Sequence, residues 1–202
     1  MSLRGFSAFK PGFRVFGVAE SFRPILGERS FLAGVVMRAD FLVDGFAVGR
    51  CLVGGMDATD RIIEMYRVLE REDINLLMLG GCIISLFNIV DLNRAAEETG
   101  LPLLCVTYNP SEGLSDIIKS RFPSDWGERL RIYESNGPRE EYVLKTGHKV
   151  HVRRVGLSRG AAEVVLNRMT ISGRVPEPIR VARLLARSLL RSEAKTRLQA
   201  QQ

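Results

Sequence analysis

The stretch FLAGVVMRADFLVDGFAVGRCLV, residues 31–53, sets two apolar runs on either side of Asp44-Gly45. Asp and Gly both tolerate positive φ, so the pair is a strong turn signal, and the stretch reads as a long hairpin with arms from Phe31 to Val43 and from Phe46 to Val53. Upstream, Phe13 to Glu20 alternates with small or apolar residues as a buried strand does. Downstream of Gly54-Gly55 the period lengthens. Ile62, Ile63, Tyr66 and Leu69 fall three and four apart, which predicts an amphipathic helix over 58–71, opened by Asp57 at the N-cap position. Ile74 to Leu79 is a short, fully apolar strand. Helical spacing returns over 90–99 and stops at Gly100, and Leu101 to Thr107 is another buried strand. A three-stranded meander followed by two βα units implies an α/β domain with a mixed sheet, antiparallel first and parallel later, and helices packed on it.

The rest of the chain continues in short elements. Residues 112–135 read as two short helices separated around Pro123, and Tyr142 to Val155 as a hairpin turning at Gly147. Ser158 is placed to cap a helix over 159–170, and a last helix follows Pro176 and Pro178. With 202 residues, 46% hydrophobic and 26% charged, the chain suits one core. The expected organisation is a single domain over residues 1–194 and a frayed tail over 195–202.

Composition excludes several classes. Met1 to Gly12 has no apolar run to act as a secretory signal, and the longest apolar stretch, Leu76 to Phe87, is interrupted by Gly80, Gly81 and Ser85, too short to cross a bilayer. A soluble, cytoplasmic protein without membrane contact is expected. Cys51, Cys82 and Cys105 form no CxxC pair and suit a reducing compartment. They read as small buried hydrophobes with no basic neighbour to activate one. His148 and His151, three apart in a predicted strand, point to opposite faces and do not form a joint metal site.

The net charge of +6 is uneven: residues 1–38 carry +4, residues 39–149 carry −6 and residues 150–202 carry +8. Such a balance admits an anionic partner without naming one.

The most informative pieces are Gly17-Val18-Ala19-Glu20-Ser21, Gly55-Met56-Asp57-Ala58-Thr59-Asp60, Leu79-Gly80-Gly81, Phe87-Asn88-Ile89-Val90-Asp91, Gly100-Leu101-Pro102 and Pro176-Glu177-Pro178-Ile179-Arg180-Val181-Ala182-Arg183. As an ordered set from about residue 13 to about 193, this pattern resembles the endonuclease dU family, known mainly from archaeal genomes. That family is similar in turn to endonuclease V, a DNA-repair nuclease of the ribonuclease H-like fold. The resemblance therefore implies a ribonuclease H-like mixed sheet, and a site where clustered acids hold a divalent ion that activates water against a phosphodiester. Mg²⁺ demands such hard oxygen ligands.

The chain departs from that pattern. Where the family reads Gly-Ile-Asp-Asp, Ala19 replaces the first acid while Glu20 keeps the second; where it reads Leu-Asp-Gly, Gly80 removes another; and Arg183 replaces a His or Asp on the last helix. A guanidinium 4 Å from a dication is repelled by about 8 kcal/mol at an effective dielectric of 20. Asp57 and Glu20 remain as catalytic candidates, with a helix N-cap as the competing role for Asp57. The reading favoured is a family member that has lost metal-dependent cleavage and needs no cofactor. Its alternatives are an active endonuclease on deaminated DNA, with Mg²⁺ at a displaced site of Glu20, Asp57 and Asp91, and a non-enzymatic protein-interaction scaffold.

Charge gives the last expectation. Arg180, Arg183, Arg187, Arg191 and Lys195 recur at three and four along one side of the last helix, while Val181, Leu184, Leu185 and Leu189 face elsewhere. This stripe is the candidate nucleic-acid surface, with DNA favoured over RNA. Phe22 and Tyr108, just past strand ends, are candidates either for stacking on a base or for closing the core.

Overall fold

The computed structural model describes Lys10, residues 12–109 and residues 114–199. In chain order its elements are β1 (Arg14–Ser21), β2 (Arg29–Arg38), β3 (Val43–Leu52), α1 (Ala58–Val68), β4 (Leu76–Leu79), β5 (Ile83–Ile84), β6 (Asn88–Ile89), α2 (Leu92–Thr99), β7 (Leu103–Thr107), α3 (Leu114–Arg121), α4 (Trp126–Ser135), β8 (Glu140–Val143), β9 (Lys149–Val155), α5 (Arg159–Arg168) and α6 (Glu177–Gln199). Seven strands form one mixed sheet in the order β3-β2-β1-β4-β7-β9-β8. The first three are the expected antiparallel meander, and β4 and β7 extend it in parallel beyond β1. The hairpin of β8 and β9 closes the far edge antiparallel to β7.

The two-residue period of the strands divides the core. On one face Val15, Ala19, Leu76, Met78, Leu104 and Val106 pack with Ala162, Val165 and Leu166 of α5 and with Ile179 and Ala182 of α6. On the other Phe16, Val18, Leu77, Leu79 and Leu103 pack with Ala58, Ile62 and Met65 of α1 and with Leu92, Ala95 and Ala96 of α2. Each large side chain removed from water contributes about 1.5–3 kcal/mol. Adjacent residues of β1 therefore serve different layers.

Local chemistry sets the element ends. Asp91 accepts a hydrogen bond from the Arg94 N–H at 3.0 Å to cap α2, which ends at Gly100 with φ 67°. Ser158 accepts from the Ala161 N–H at 3.2 Å and caps α5. Pro178 lies in the first turn of α6, where its missing N–H costs nothing. It leans so close to β1 that a Cβ on Gly17 would lie 2.4 Å from the Pro178 Cβ. Glycine there sets how near α6 can come to the sheet.

Several expectations are corrected. The β2–β3 turn is at residues 39–42: Phe41 takes φ 68°, and the Phe41 N–H donates to the Arg38 carbonyl at 2.9 Å. Asp44-Gly45 lies inside β3, because the Asp44 carboxylate is held by Arg14 at 2.5 Å and Arg71 at 3.0 Å, and a register shift at Val36/Met37 absorbs the extra residue. α6 faces the sheet through Ile179, Ala182 and Ala186, while Leu184, 53% exposed, stands among the arginines. The helix continues through Gln199; residues 200–202 of the expected tail, and residues 112–113 of the expected first short helix, lie outside the described residues. The cysteines do have a basic neighbour: β9 brings Arg153 to Cys82, with Nη1 3.0 Å from Sγ. No helix among the described residues is long and apolar enough to cross a membrane.

Candidate nucleic-acid site

The ends of the parallel pair β1 and β4 bring residues 19 and 80 together. The Gly80 N–H donates to the Val18 carbonyl at 3.0 Å, and a Cβ on Gly80 would lie 3.8 Å from the Ala19 Cβ. The same Cβ would lie 2.9 Å from Ile179 Cγ2, so α6 occupies the space that a longer side chain at 80 would need. In front opens a cleft of about 250 Å³ lined by Ala19, Glu20, Ser21, Phe22, Gly80, Arg183 and Arg187. Ala19 and Gly80 offer it no donor atom, and two of its linings are cations. Its oxygen-bearing side chains are Glu20, whose carboxylate is held by Ser85, and Ser21, too few for a hard-cation donor set.

Glu20 follows Ala19 but turns its carboxylate away, to the opposite layer. Its Oε2 accepts from the Ser85 N–H at 2.5 Å and lies 2.5 Å from the Ser85 hydroxyl. Burial pushes the Glu20 carboxyl up to about 7, although the Ser85 contacts and the Arg183 charge pull the other way. Ser85 opens a strained turn between β5 and β6 in which Ser85, Leu86 and Phe87 take φ of 43°, 59° and 62°. Arg129 helps to hold it. This residue, 2% exposed, donates to the Phe87 carbonyl at 2.6 Å, the Gly55 carbonyl at 3.0 Å and the Gly54 carbonyl at 2.8 Å, its charge answered by Asp125 at 2.7 Å. Nothing in the local sequence near residue 129 signals this role, because the carbonyls it binds are more than 40 residues away.

Asp57 stands at the N-cap position of α1, but its side chain makes no capping bond. The Asn88 side chain does so, accepting from the Ala58 N–H at 3.0 Å. Asp57 Oδ1 instead accepts from the Leu52 N–H at 3.0 Å and Asn88 Nδ2 at 2.8 Å, and Oδ2 is 3.4 Å from Arg61 Nε. Burial raises the Asp57 carboxyl, but these donors outweigh it and hold it below the usual carboxylate range. Asp91 is occupied as the cap of α2. Glu20, Asp57 and Asp91 are thus each committed to separate backbone groups. Among the described residues no three His, Cys, Asp or Glu side chains converge as a metal would require.

The arginines of α6 are placed otherwise. Arg183 and Arg187 line the first cleft and also a second, of about 270 Å³, beside Arg174, Arg180, Ser172 and Leu184. The Arg183 guanidinium lies 5.6 Å from the Tyr108 ring centroid and that of Arg174 at 5.5 Å, so Tyr108 is covered by two cations. Burial pushes its hydroxyl up to about 12, against the opposing pull of the Arg183 charge. Phe22 is a lining of the first cleft. Arg180 is paired with Glu177, its Nε donating at 2.7 Å, while Arg191 is exposed one turn beyond Arg187. Two forked cations shared by two open clefts favour a ligand with several separated negative charges.

The model of the endonuclease dU family matches residues 11–190. A UPF0215 protein of Pyrobaculum calidifontis is 35% identical over 170 residues, covering 84% of this chain and 92% of that relative. The structure is similar to the crystal structure of a protein of unknown function from Archaeoglobus fulgidus, with TM-score 0.75, 25% identity and coverage of 88% of this chain and 98% of that one. It is also similar to endonuclease V of Ciona intestinalis in complex with a 24-mer DNA containing an inosine followed by a ribo-adenosine. There the TM-score is 0.63, the identity 16%, and the coverage 95% of this chain and 91% of that one. The sheet of seven strands and the six helices described above form an α/β domain of the ribonuclease H-like class. From the family match across residues 11–190 and the shared fold, the chain belongs to the endonuclease dU family.

Proposed function

We propose that this protein binds nucleic acid through the two clefts along α6 and has lost metal-dependent phosphodiester cleavage. One observation carries the reading: residues 19 and 80 meet at the mouth of the cleft, yet they are Ala and Gly, with Ile179 against one and Arg183 and Arg187 at the rim. A catalytic Mg²⁺ does not fit a site whose one carboxylate, Glu20, is held by Ser85 and whose other linings include a methyl, a hydrogen and two guanidinium groups. A phosphate does, because a forked cation neutralises and hydrogen-bonds its oxygens at once. Contacts of this kind fix position along a backbone without reading sequence, so the binding is steeply salt-dependent.

DNA is favoured over RNA, and the inosine-containing DNA held by the Ciona neighbour makes deaminated DNA the first probe. The test is fluorescence anisotropy with labelled single- and double-stranded DNA and RNA over a salt series, beside a nicking assay on uracil- and hypoxanthine-containing DNA with Mg²⁺ or Mn²⁺. Salt-dependent binding without nicking is expected. Metal-dependent nicking overturns the loss of cleavage, and no binding at low salt overturns the nucleic-acid role.

A further inference from the structure

Away from the α6 clefts, the far side of the sheet holds a cluster that nucleic-acid binding does not use. Cys105 of β7 pairs directly with Arg153 of β9, which puts both side chains on one face. The chain leaving β4 turns back at Gly81, φ 121°, so that the Cys82 sulfur reaches the guanidinium of the same Arg153 that stands opposite Cys105. Both cysteines are free and buried.

Arg153, 6% exposed, donates from Nη1 to Cys82 Sγ at 3.0 Å and from Nε to the Gly137 carbonyl at 2.7 Å, and its guanidinium lies 4.6 Å from the Tyr133 ring centroid. It has no carboxylate ion pair among the described residues. A buried cation in that position is costly unless a neighbour carries the opposite charge, and the Cys82 sulfur, 3.0 Å away, ionises more readily than the Tyr133 phenol. A hollow of about 70 Å³ bordered by Cys82, Thr107, Tyr133 and Arg153 adjoins it. That space has room for a small oxidant such as hydrogen peroxide.

We propose that Cys82 and Cys105, with Arg153 as charge partner, form a dithiol that a peroxide oxidises to an internal disulfide. The Cys82 thiolate attacks one peroxide oxygen and the O–O bond breaks; the departing hydroxide takes a proton and leaves as water, and Cys82 becomes a sulfenic acid. The Cys105 thiol then attacks the Cys82 sulfur as its S–O bond breaks, and the lost hydroxyl leaves as a second water with the Cys105 proton. The peroxide supplies the two-electron oxidation. In the folded protein the Cys82 thiol lies below its ordinary range, through the Cys105 contact and the Arg153 charge against opposing burial, and Cys105 lies above it. Cys51 serves as an internal comparison, since burial raises its thiol and its neighbours are the Ser30 and Ser85 hydroxyls.

The experiment treats reduced full-length protein with hydrogen peroxide, blocks the remaining thiols after denaturation, and maps them by peptide mass spectrometry. Expected are a linked 82–105 peptide pair, two hydrogens lighter, and a blocked Cys51. Cys105→Ser should stop at oxidised Cys82, Cys82→Ser should leave Cys105 reduced, and Arg153→Gln should slow the reaction by about tenfold. If Arg153→Gln does not fold, as judged by circular dichroism, the wild-type map and the two cysteine variants decide. Three reduced thiols after treatment, oxidation of Cys51 as fast as Cys82, or an unchanged rate in folded Arg153→Gln would overturn the proposal.

Discussion

The two layers on either side of β1 treat negative charge in opposite ways. Toward α1 and the 85–87 turn, Glu20 and Asp57 are present and tied to N–H groups of Ser85 and Leu52. Toward α6, positions 19 and 80 carry a methyl and a hydrogen, with arginines close by. The two carboxylates stand where backbone donors meet them, whereas positions 19 and 80 carry no side-chain acceptor. The physical lesson concerns cost: a partly buried acid persists when structural hydrogen bonds stabilise it, whereas facing acids repel one another without a metal.

The strongest attempt to break this contrast is to refill the α6 side. Ala19→Asp, Gly80→Asp and Arg183→His together, with Ile179→Ala to clear the 2.9 Å approach to position 80, should bring Mn²⁺-dependent nicking from background to a gain of about 10³-fold or more. No gain in a folded variant would mean that the difference between the layers does not account for the proposed loss of cleavage. Next in size is the loss of a satisfied acid. Asp57→Ala leaves the Leu52 N–H without its acceptor and takes one of two acceptors from the Asn88 amide and from Arg61, and should cost about 3 kcal/mol in denaturant unfolding. A cost near zero would show that water replaces those bonds.

Charge reversal sharpens the α6 side. Arg183→Glu with Arg187→Glu should weaken DNA binding roughly 30-fold and reduce the salt slope by about 2, read by anisotropy, with little change in stability. Equal affinity would remove the clefts as the binding surface.

The smallest effect lies in pH. Glu20, held at about 7 in the fold against 4.5 unfolded, keeps its proton in the native state where the unfolded chain has lost it. Stability therefore falls as pH rises from about 4.5 to about 7, by an amount of order 2 kcal/mol once partial exposure is allowed for. Glu20→Gln, which still accepts from Ser85, should flatten that slope in unfolding curves measured across the window. An unchanged slope would assign it to other groups.

Much of the fold was legible in the residues. Apolar alternation in β1, three-and-four spacing in α1, Gly100 after α2 and Ser158 before α5 are local signals, and each marks its element to within a few residues. The Asp44-Gly45 turn misled because the pair's turn propensity was outweighed by Arg14 and Arg71, which come from other strands and loops. At the site, adjacency in sequence already sent Ala19 and Glu20 to opposite layers, since strand side chains alternate, and already placed Gly80 and Arg183 among the candidate site residues.

Other features depend on chain segments that meet through packing. Asn88 caps α1 in place of Asp57, Arg129 binds the turns at 54–55 and 85–87, Ile179 closes on Gly80, and Arg153 charges the pocket of Cys82. Residue order along one element dictates periodicity, capping and which face a side chain takes, because those follow from φ, ψ and the spacing of neighbours. Which donor meets which acceptor from elsewhere depends on how the layers settle against each other, and for that burial and hydrogen-bond satisfaction across distant segments must be met together.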